Sequence, residues 1–226
     1  MPMKSKSAAK PQKRIFVVED HPVFSEGLVS LINAEKDMVV CGMASDGASA
    51  LNEIVKLQPD LALVDLGLPK KSGLELIKDV RARKLPVKLL VVSMFDEAIY
   101  AQRVLRAGGD GYIMKQEDPP ELINAIRDVL NGHIYVSEEV LASSKGDSPD
   151  SENDPNTVLL KKLSDTELEI LELLGEGKSN EQISKNFELT AAELKAKCIE
   201  MQQKLNLDCF NSLVRFAVRW VVSSHG

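Results

Sequence analysis

Short apolar runs alternate with amphipathic stretches in the first half of the chain. Between the runs, apolar residues recur every three or four positions, which is the spacing of helices packed by one face. Runs of four to six residues rich in Val, Ile and Leu are typical of strands buried on both faces of a parallel sheet. The pattern therefore predicts an α/β doubly wound, five-stranded parallel sheet over residues 14–135. The predicted strands are residues 15–18, 38–43, 61–64, 89–92 and 111–114.

The pattern changes after residue 135. Residues 136–157 are dominated by Ser, Asp, Pro and Asn, which predicts a flexible acidic linker. Helical spacing then returns without strand-like runs, and a last helix is expected over about residues 212–222. Three Ser/Thr-x-x-Glu/Gln capping patterns mark helix starts in this region, at Ser164, Ser179 and Thr190. Residues 158–226 are thus predicted to form a small all-α domain.

Composition narrows the class of protein. The chain has 226 residues, of which 44% are hydrophobic and 27% charged, as in ordinary globular proteins. No apolar run reaches the ~18 residues needed to cross a bilayer. Residues 1–13 are basic without an apolar segment behind them, so we expect a flexible tail and no secretory signal. Three cysteines without CxxC spacing argue against disulfides and zinc, which favours a cytoplasmic protein.

Polar residues with related chemistry follow four of the five predicted strands. Because parallel strands end at the same edge of a sheet, these residues should converge. Clustered carboxylates suit Mg²⁺, while an amine and a hydroxyl suit phosphoryl oxygens. The set predicts a carboxylate that accepts a phosphoryl group with metal assistance. Its members are Glu19, Asp20, Asp65, Ser93 and Lys115.

Four motifs carry a resemblance to a known family. VVEDHP, LVDLGLP, VVSMFD and GYIMKQ, in this order and at these spacings, resemble the receiver domain of two-component response regulators. LSDTELEILELLGEGKSNEQIS resembles the start of a LuxR-type helix-turn-helix. Together they make the chain similar to the NarL/FixJ family of response regulators, from about residue 14 to residue 222.

The resemblance implies a role for each site residue. Asp65 is the expected phosphoacceptor, and a histidine kinase is the expected phosphoryl donor. Lys115 is expected to bind the phosphoryl oxygens, and Ser93 and Tyr112 to act as the switch that reorganises the face of the fourth helix and fifth strand. The expected ligands of Mg²⁺ are Glu19, Asp20, Asp65 and the backbone carbonyl of Gly67. The family further implies a homodimer formed on phosphorylation, no membrane association, and no enzymatic activity beyond the receiver's own phosphorylation and dephosphorylation.

The predicted recognition helix, which begins near Thr190, departs from the family pattern. Glu193 stands in place of the usual Thr, Lys197 of His, Cys198 of Arg and Glu200 of Asn. Carboxylates facing DNA phosphates would weaken binding, and residues 158–226 carry a formal charge of −1. The remaining candidates for DNA contact are Lys178, Asn180, Lys195, Lys197 and Lys204.

Two functions therefore remain. The first is a response regulator that controls transcription through its helix-turn-helix. The alternative is a phosphorylation-gated regulator whose helix-turn-helix binds a protein. Glu193→Lys should strengthen DNA binding if DNA is the partner. A phosphatase of the haloacid-dehalogenase type is set aside, because its second Asp, two residues after the nucleophile, is replaced by Gly67.

Overall fold

The computed structural model describes residues 11–138, 140–141 and 155–224. Its first part contains a parallel sheet of five strands in the order β2-β1-β3-β4-β5, which confirms the predicted doubly wound architecture. The strand order reverses between β1 and β3, where such sheets bind their ligands. The strands are β1 (Lys13–Val18), β2 (Met38–Ala44), β3 (Leu61–Val64), β4 (Lys88–Ser93) and β5 (Gly111–Met114).

Helices cover both faces of the sheet because consecutive strand residues point to opposite sides. In β1, Ile15 and Val17 pack into one apolar cluster while Phe16 and Val18 pack into the other. Helices α1 and α5 cover the first cluster, and α2, α3 and α4 cover the second. The helices are α1 (Pro22–Asn33), α2 (Gly47–Leu57), α3 (Gly73–Ala82), α4 (Glu97–Ala107) and α5 (Pro119–Leu130).

The second part of the described chain is helical, as predicted. All three expected capping boxes are present, with Glu167, Gln182 and Glu193 as the reciprocal partners. The helices are α6 (Pro155–Leu160), α7 (Asp165–Gly175), α8 (Asn180–Asn186), α9 (Ala191–Lys204) and α10 (Phe210–Ser224). A Cβ on Gly175 would lie 2.6 Å from the carbonyl oxygen of Ala217, so glycine lets α7 and α10 pack closely. The turn after α7 uses Gly177, whose φ is +77°.

The segments predicted to lie outside the two domains are only partly described. Residues 1–10 and most of the predicted linker fall outside the described residues. Lys13, expected at the end of the tail, is the first residue of β1. Helix α6 starts at Pro155, inside the predicted linker, and carries the apolar run Val158, Leu159 and Leu160. No helix in the described part of the chain has the length and apolar character needed to span a bilayer.

Candidate functional site

Backbone hydrogen bonds continue the sheet beyond its strands and thereby fix the acidic residues at its carboxyl edge. The amide of Glu19 donates to the carbonyl of Ala44 at 3.0 Å, and the amide of Asp65 donates to Val18 at 3.0 Å. Both carboxylates come from residues that are nearly buried, with 4% and 5% of their surface exposed. The predicted convergence of strand-end residues is therefore what the structure shows.

Lys115 supplies the positive charge of this site. Its Nζ lies 2.8 Å from Oδ2 of Asp65 and 2.7 Å from Oε2 of Glu19, and it stands 4.7 Å above the ring centre of Phe24. Burial by itself would lower the pKa of Lys115, but the two carboxylates outweigh burial and raise the pKa above its ordinary value. The lysine is therefore held in its charged form beside Asp65.

The acidic residues have the composition and spacing of a hard-cation site. Ligand atoms of Glu19, Asp20, His21 and Asp65 all lie within 4.8 Å of one another. Gly67 is adjacent, since a Cβ placed on it would lie 3.8 Å from Oδ2 of Asp65. Three carboxylates form the oxygen-rich donor set that Mg²⁺ prefers, so the residues fit this ion. His21 is the N-cap of α1, and its exposed ring contacts Glu19 and Asp20 at 2.9 and 3.0 Å.

Ser93 and Tyr112 both hold the backbone of Phe95, in the loop that joins β4 to α4. The amide of Phe95 donates to the hydroxyl of Ser93 at 3.3 Å, and the hydroxyl of Tyr112 donates to the carbonyl of Phe95 at 2.6 Å. Both side chains are buried, and burial raises the pKa of Tyr112. The two predicted switch residues therefore contact the same residue of the loop that leads into α4.

Sequence reasoning missed Gly73, which permits the geometry of the site. A Cβ at this position would lie 2.0 Å from the carbonyl oxygen of Asp65, and the amide of Gly73 donates to Leu66 at 3.0 Å. The start of α3 thus presses on the backbone of the candidate phosphoacceptor. The only sequence signal was the Ser-Gly pair that precedes the predicted helix.

The candidate DNA contacts do not form one surface. Asn180 and Lys195 are exposed and Lys197 is half-exposed, but Lys178 faces the receiver-like domain beside Glu176. Lys204 donates to both carboxylate oxygens of Glu167 at 2.7 and 2.6 Å, so its charge is used inside the helical domain. The structure thus leaves the solvent-facing side of α9 with few free cations.

Two residues of α9 need reinterpretation. Cys198 was expected on the DNA-facing surface, but it is 4% exposed and packs in the core, since it shares the inner face with Leu194 and Met201. Glu193 is exposed, yet its carboxylate closes the capping box by accepting from the amide of Thr190 at 2.8 Å. Its pKa is lowered by these Thr190 hydrogen bonds.

An apolar groove of about 700 Å³ runs beside α9. Leu194 forms its floor, and Ile199 and Phe210 line it with 44% and 37% of their surface exposed. The exposed side of a DNA-reading helix is usually polar and basic, so this groove is an unusual feature of the domain.

Comparison with known proteins agrees with this architecture. Residues 15–127 match the family model described as response regulator receiver domain, and residues 161–217 match bacterial regulatory proteins of the luxR family. The oxygen regulatory protein NreC of Staphylococcus carnosus is 32% identical over 214 residues, covering 91% of this chain and 97% of its own. The chain belongs to the NarL/FixJ-type response regulators.

Solved structures of other response regulators have a similar fold. A LuxR-family two-component response regulator from Aurantimonas is 30% identical, with a TM-score of 0.56 over 60% of this chain and 99% of its own. RcsB from Salmonella enterica, solved bound to the rprA promoter with a phosphomimetic, has a TM-score of 0.68 at 22% identity. It covers 92% of this chain and 98% of its own, and at that identity it supports the fold alone. The response regulator thus combines a receiver with a LuxR-type helix-turn-helix and is homologous to DNA-binding regulators.

Proposed function

We propose that Asp65 accepts a phosphoryl group from a histidine kinase. The observation that carries this proposal is the contact of Asp65 with Lys115 inside a cluster of carboxylate oxygens at the switch point of the sheet. A carboxylate oxygen of Asp65 attacks phosphorus, a P–O bond forms, and the P–N bond to the kinase imidazole breaks. Mg²⁺, when bound, neutralises charge on the phosphoryl oxygens.

The other residues of the site would bind the phosphoryl group and change the conformation of the neighbouring loop in response to it. Glu19, Asp20, Asp65 and the carbonyl of Gly67 would hold the metal, and Lys115 would pair with a phosphoryl oxygen. The hydroxyl of Ser93 would turn from the amide of Phe95 to another phosphoryl oxygen, which frees the loop that Tyr112 also holds. The start of α4 then moves, so a local charge change becomes a change of surface.

Phosphorylation is tested by incubating the full-length protein with acetyl phosphate and MgCl₂ and recording its intact mass. The wild type should gain the mass of one phosphoryl group, and Asp65→Asn should not. Asp118→Asn is the matched control, because Asp118 is exposed and its side chain makes no capping hydrogen bond. Equal labelling of the Asp65 variant and the wild type would refute the assignment, and phosphotransfer from an autophosphorylated histidine kinase tests the donor.

We further propose that the output is transcription, through DNA bound by the helix-turn-helix. Helices α8 and α9 form the expected motif, and α9 is exposed in the arrangement observed. Lys195, Lys197 and Asn180 are the contacts that the structure leaves available. The acidic residues on α9 would weaken DNA binding by a single copy. Phosphorylation would compensate by forming a dimer, which doubles the number of contacts with DNA phosphates.

Glu200→Lys tests this output more cleanly than Glu193→Lys, because Glu193 also caps α9. Glu200 is exposed, so reversing its charge should strengthen binding to genomic fragments at moderate salt by several-fold. Glu26→Lys makes the same charge change on α1 of the receiver and should leave DNA binding unchanged. Binding is compared with and without beryllofluoride and Mg²⁺. Identical DNA retention for Glu200→Lys and wild type in every condition would exclude transcription through this helix.

The apolar groove beside α9 supports the second candidate, a phosphorylation-gated regulator that binds a protein. Ile199 and Phe210 are exposed apolar residues. Such side chains are commonly buried in protein–protein interfaces, whereas they make no favourable electrostatic contact with DNA phosphates. Under this alternative, Ile199→Ser abolishes binding of the protein partner, and the wild type itself retains no DNA. A change in DNA affinity with Glu200→Lys would rule the alternative out.

We also propose that the protein forms a homodimer when it is phosphorylated and that it acts in the cytoplasm. Val218 and Val222 on α10 are 40% and 67% exposed, which offers an apolar strip for a second copy. A reducing compartment such as the cytoplasm would keep the three cysteines as thiols. Light scattering of the beryllofluoride complex should show twice the mass of the free protein, and an unchanged mass would refute the dimer.

A further inference from the structure

His21 lies at the carboxyl edge of the sheet, directly after the two acidic residues that follow β1. It is the N-cap of α1, and Pro22 is the first residue of that helix. The side chain of His21 makes no capping hydrogen bond, and it is 70% exposed. The imidazole therefore contributes nothing to the capping of α1.

The imidazole instead faces the acidic cluster. Its Nδ1 lies 2.9 Å from Oε1 of Glu19 and 3.0 Å from Oδ1 of Asp20. Ligand atoms of these three residues and of Asp65 all lie within 4.8 Å of one another. Asp20, His21 and Asp65 also line one cavity of about 480 Å³, which we call the phosphorylation pocket. The nitrogen and the carboxylate oxygens therefore share the same space.

One carboxylate oxygen of this cluster is buried without a hydrogen-bond donor. Oδ1 of Asp20 has no hydrogen-bond partner among the residues that the structure describes, although Nδ1 of His21 is close to it. A single proton on Nδ1 serves one acceptor well, and Oε1 of Glu19 is the oxygen placed to accept it. A buried oxygen without a donor is unfavourable. A cation bound between these atoms would satisfy Oδ1 of Asp20.

The spacing of these atoms matches neighbouring ligand positions around one octahedral ion. Mg²⁺ and first-row transition dications bind oxygen and imidazole nitrogen at about 2.1 Å, so two ligands at right angles lie about 3.0 Å apart. The distances from Nδ1 to the two carboxylates, 2.9 and 3.0 Å, have this value. A single ion can thus bind Nδ1 and both carboxylates when the ring carries its proton on Nε2.

On the basis of the proposed cation site beside Asp65, we propose that His21 is a further ligand of that cation through Nδ1. Imidazole nitrogen suits first-row transition ions such as Fe²⁺, Co²⁺ and Ni²⁺, whereas Mg²⁺ prefers oxygen. The histidine therefore strengthens binding of a transition dication and leaves binding of Mg²⁺ almost unchanged. The site thus accepts a first-row transition dication as well as Mg²⁺.

The test measures the affinity of the full-length protein for Co²⁺ and for Mg²⁺, each ion alone, by isothermal titration calorimetry. His21→Asn removes the nitrogen ligand and keeps a residue that is favoured at a helix N-cap. We expect it to weaken Co²⁺ binding by at least about tenfold and Mg²⁺ binding by less than about twofold. Sites made only of oxygen also bind the transition ions in a fixed order of affinity, so the result that counts is the change between variants.

Two further variants show where Co²⁺ binds. His133→Asn is the matched control, because the side chain of His133 is 73% exposed and its ionic neighbour is Asp128, away from the acidic cluster. It should bind both ions as the wild type does. Asp65→Asn removes a carboxylate of the cluster and should weaken binding of both ions. The visible absorption of bound Co²⁺ gives a second readout, since exchanging nitrogen for oxygen in His21→Asn should move its bands to longer wavelength.

The outcomes are distinct. A loss of affinity in His21→Asn that is confined to Co²⁺, together with the shift of its absorption bands, supports the inference. Equal losses for both ions would show that His21 shapes the site without binding the ion, and unchanged Co²⁺ binding would show that it takes no part. Either result overturns the inference and leaves the proposed function standing. Failure of the wild type to bind either ion would overturn metal-assisted phosphorylation of Asp65 and this inference with it.

Discussion

Replacing Lys115 by Met tests the central ion pairs of the receiver. The change removes one buried ammonium and leaves the carboxylates of Asp65 and Glu19, from which its Nζ lies 2.8 and 2.7 Å, without their cation. The side chains of the lysine and Asp65 are each 6% exposed, and that of Glu19 is 2% exposed, so water cannot take over these contacts.

The magnitude follows from that burial. Removing one partner of a buried ion pair costs about 3–5 kcal/mol of unfolding free energy, because the other charge stays unpaired. We expect about 3 kcal/mol for Lys115→Met without Mg²⁺, since the carboxylates can relieve part of the cost by taking up a proton. A loss of this size lowers the midpoint of thermal unfolding by about 10 °C for a domain of this length.

Mg²⁺ should restore much of the lost stability, because a divalent cation replaces the missing charge beside the same carboxylates. The assay is thermal unfolding followed by circular dichroism, with EDTA and with MgCl₂. Lys88→Met is the matched control. Lys88 also pairs with an aspartate, Asp110 at 2.7 Å, but it is 33% exposed, so we expect a loss below about 1 kcal/mol and no rescue by Mg²⁺. Equal stability of Lys115→Met and Lys88→Met, or equal rescue of both by Mg²⁺, would refute the reasoning.

Three further changes test other parts of the structure. Gly73→Ala should unfold the receiver or cost more than about 3 kcal/mol in a urea titration, because the added Cβ would lie 2.0 Å from the carbonyl oxygen of Asp65; a stable variant would contradict the close approach. Burial and the nearby charges of Glu75 and Asp165 raise the pKa of Glu169 to about 8, so the free energy of unfolding should fall as pH rises from about 4.5 to about 8, by up to about 5 kcal/mol. Glu169→Gln should flatten that part of the stability profile, and an unchanged profile would exclude Glu169 as its cause. Phe95→Ala should speed loss of the phosphoryl group several-fold in an intact-mass time course, because the ring stands beside Gly67 at the mouth of the pocket; an unchanged rate would show that the ring does not exclude water.

The sequence determined the sheet and the convergence of its strand-end residues. Continuous apolar runs can be buried only between two layers of helices, and parallel strands must end at one edge, so Glu19, Asp65 and Lys115 could be predicted to meet. Capping boxes are equally local, since two residues three positions apart each accept from the other's backbone amide, and those at Ser164, Ser179 and Thr190 formed as predicted.

Only the tertiary structure decided which residues the two domains bring together. Glu172 reads in sequence as a polar residue of an amphipathic helix, yet the structure buries it against the receiver beside the phosphorylation pocket. Gly73 and Cys198 likewise could not be predicted from sequence, one in each domain. The close approach at Gly73 and the rotation of the helix that buries Cys198 both depend on neighbours distant in the chain. Local patterns fix elements and their ends, whereas contacts between elements depend on packing that no single segment contains.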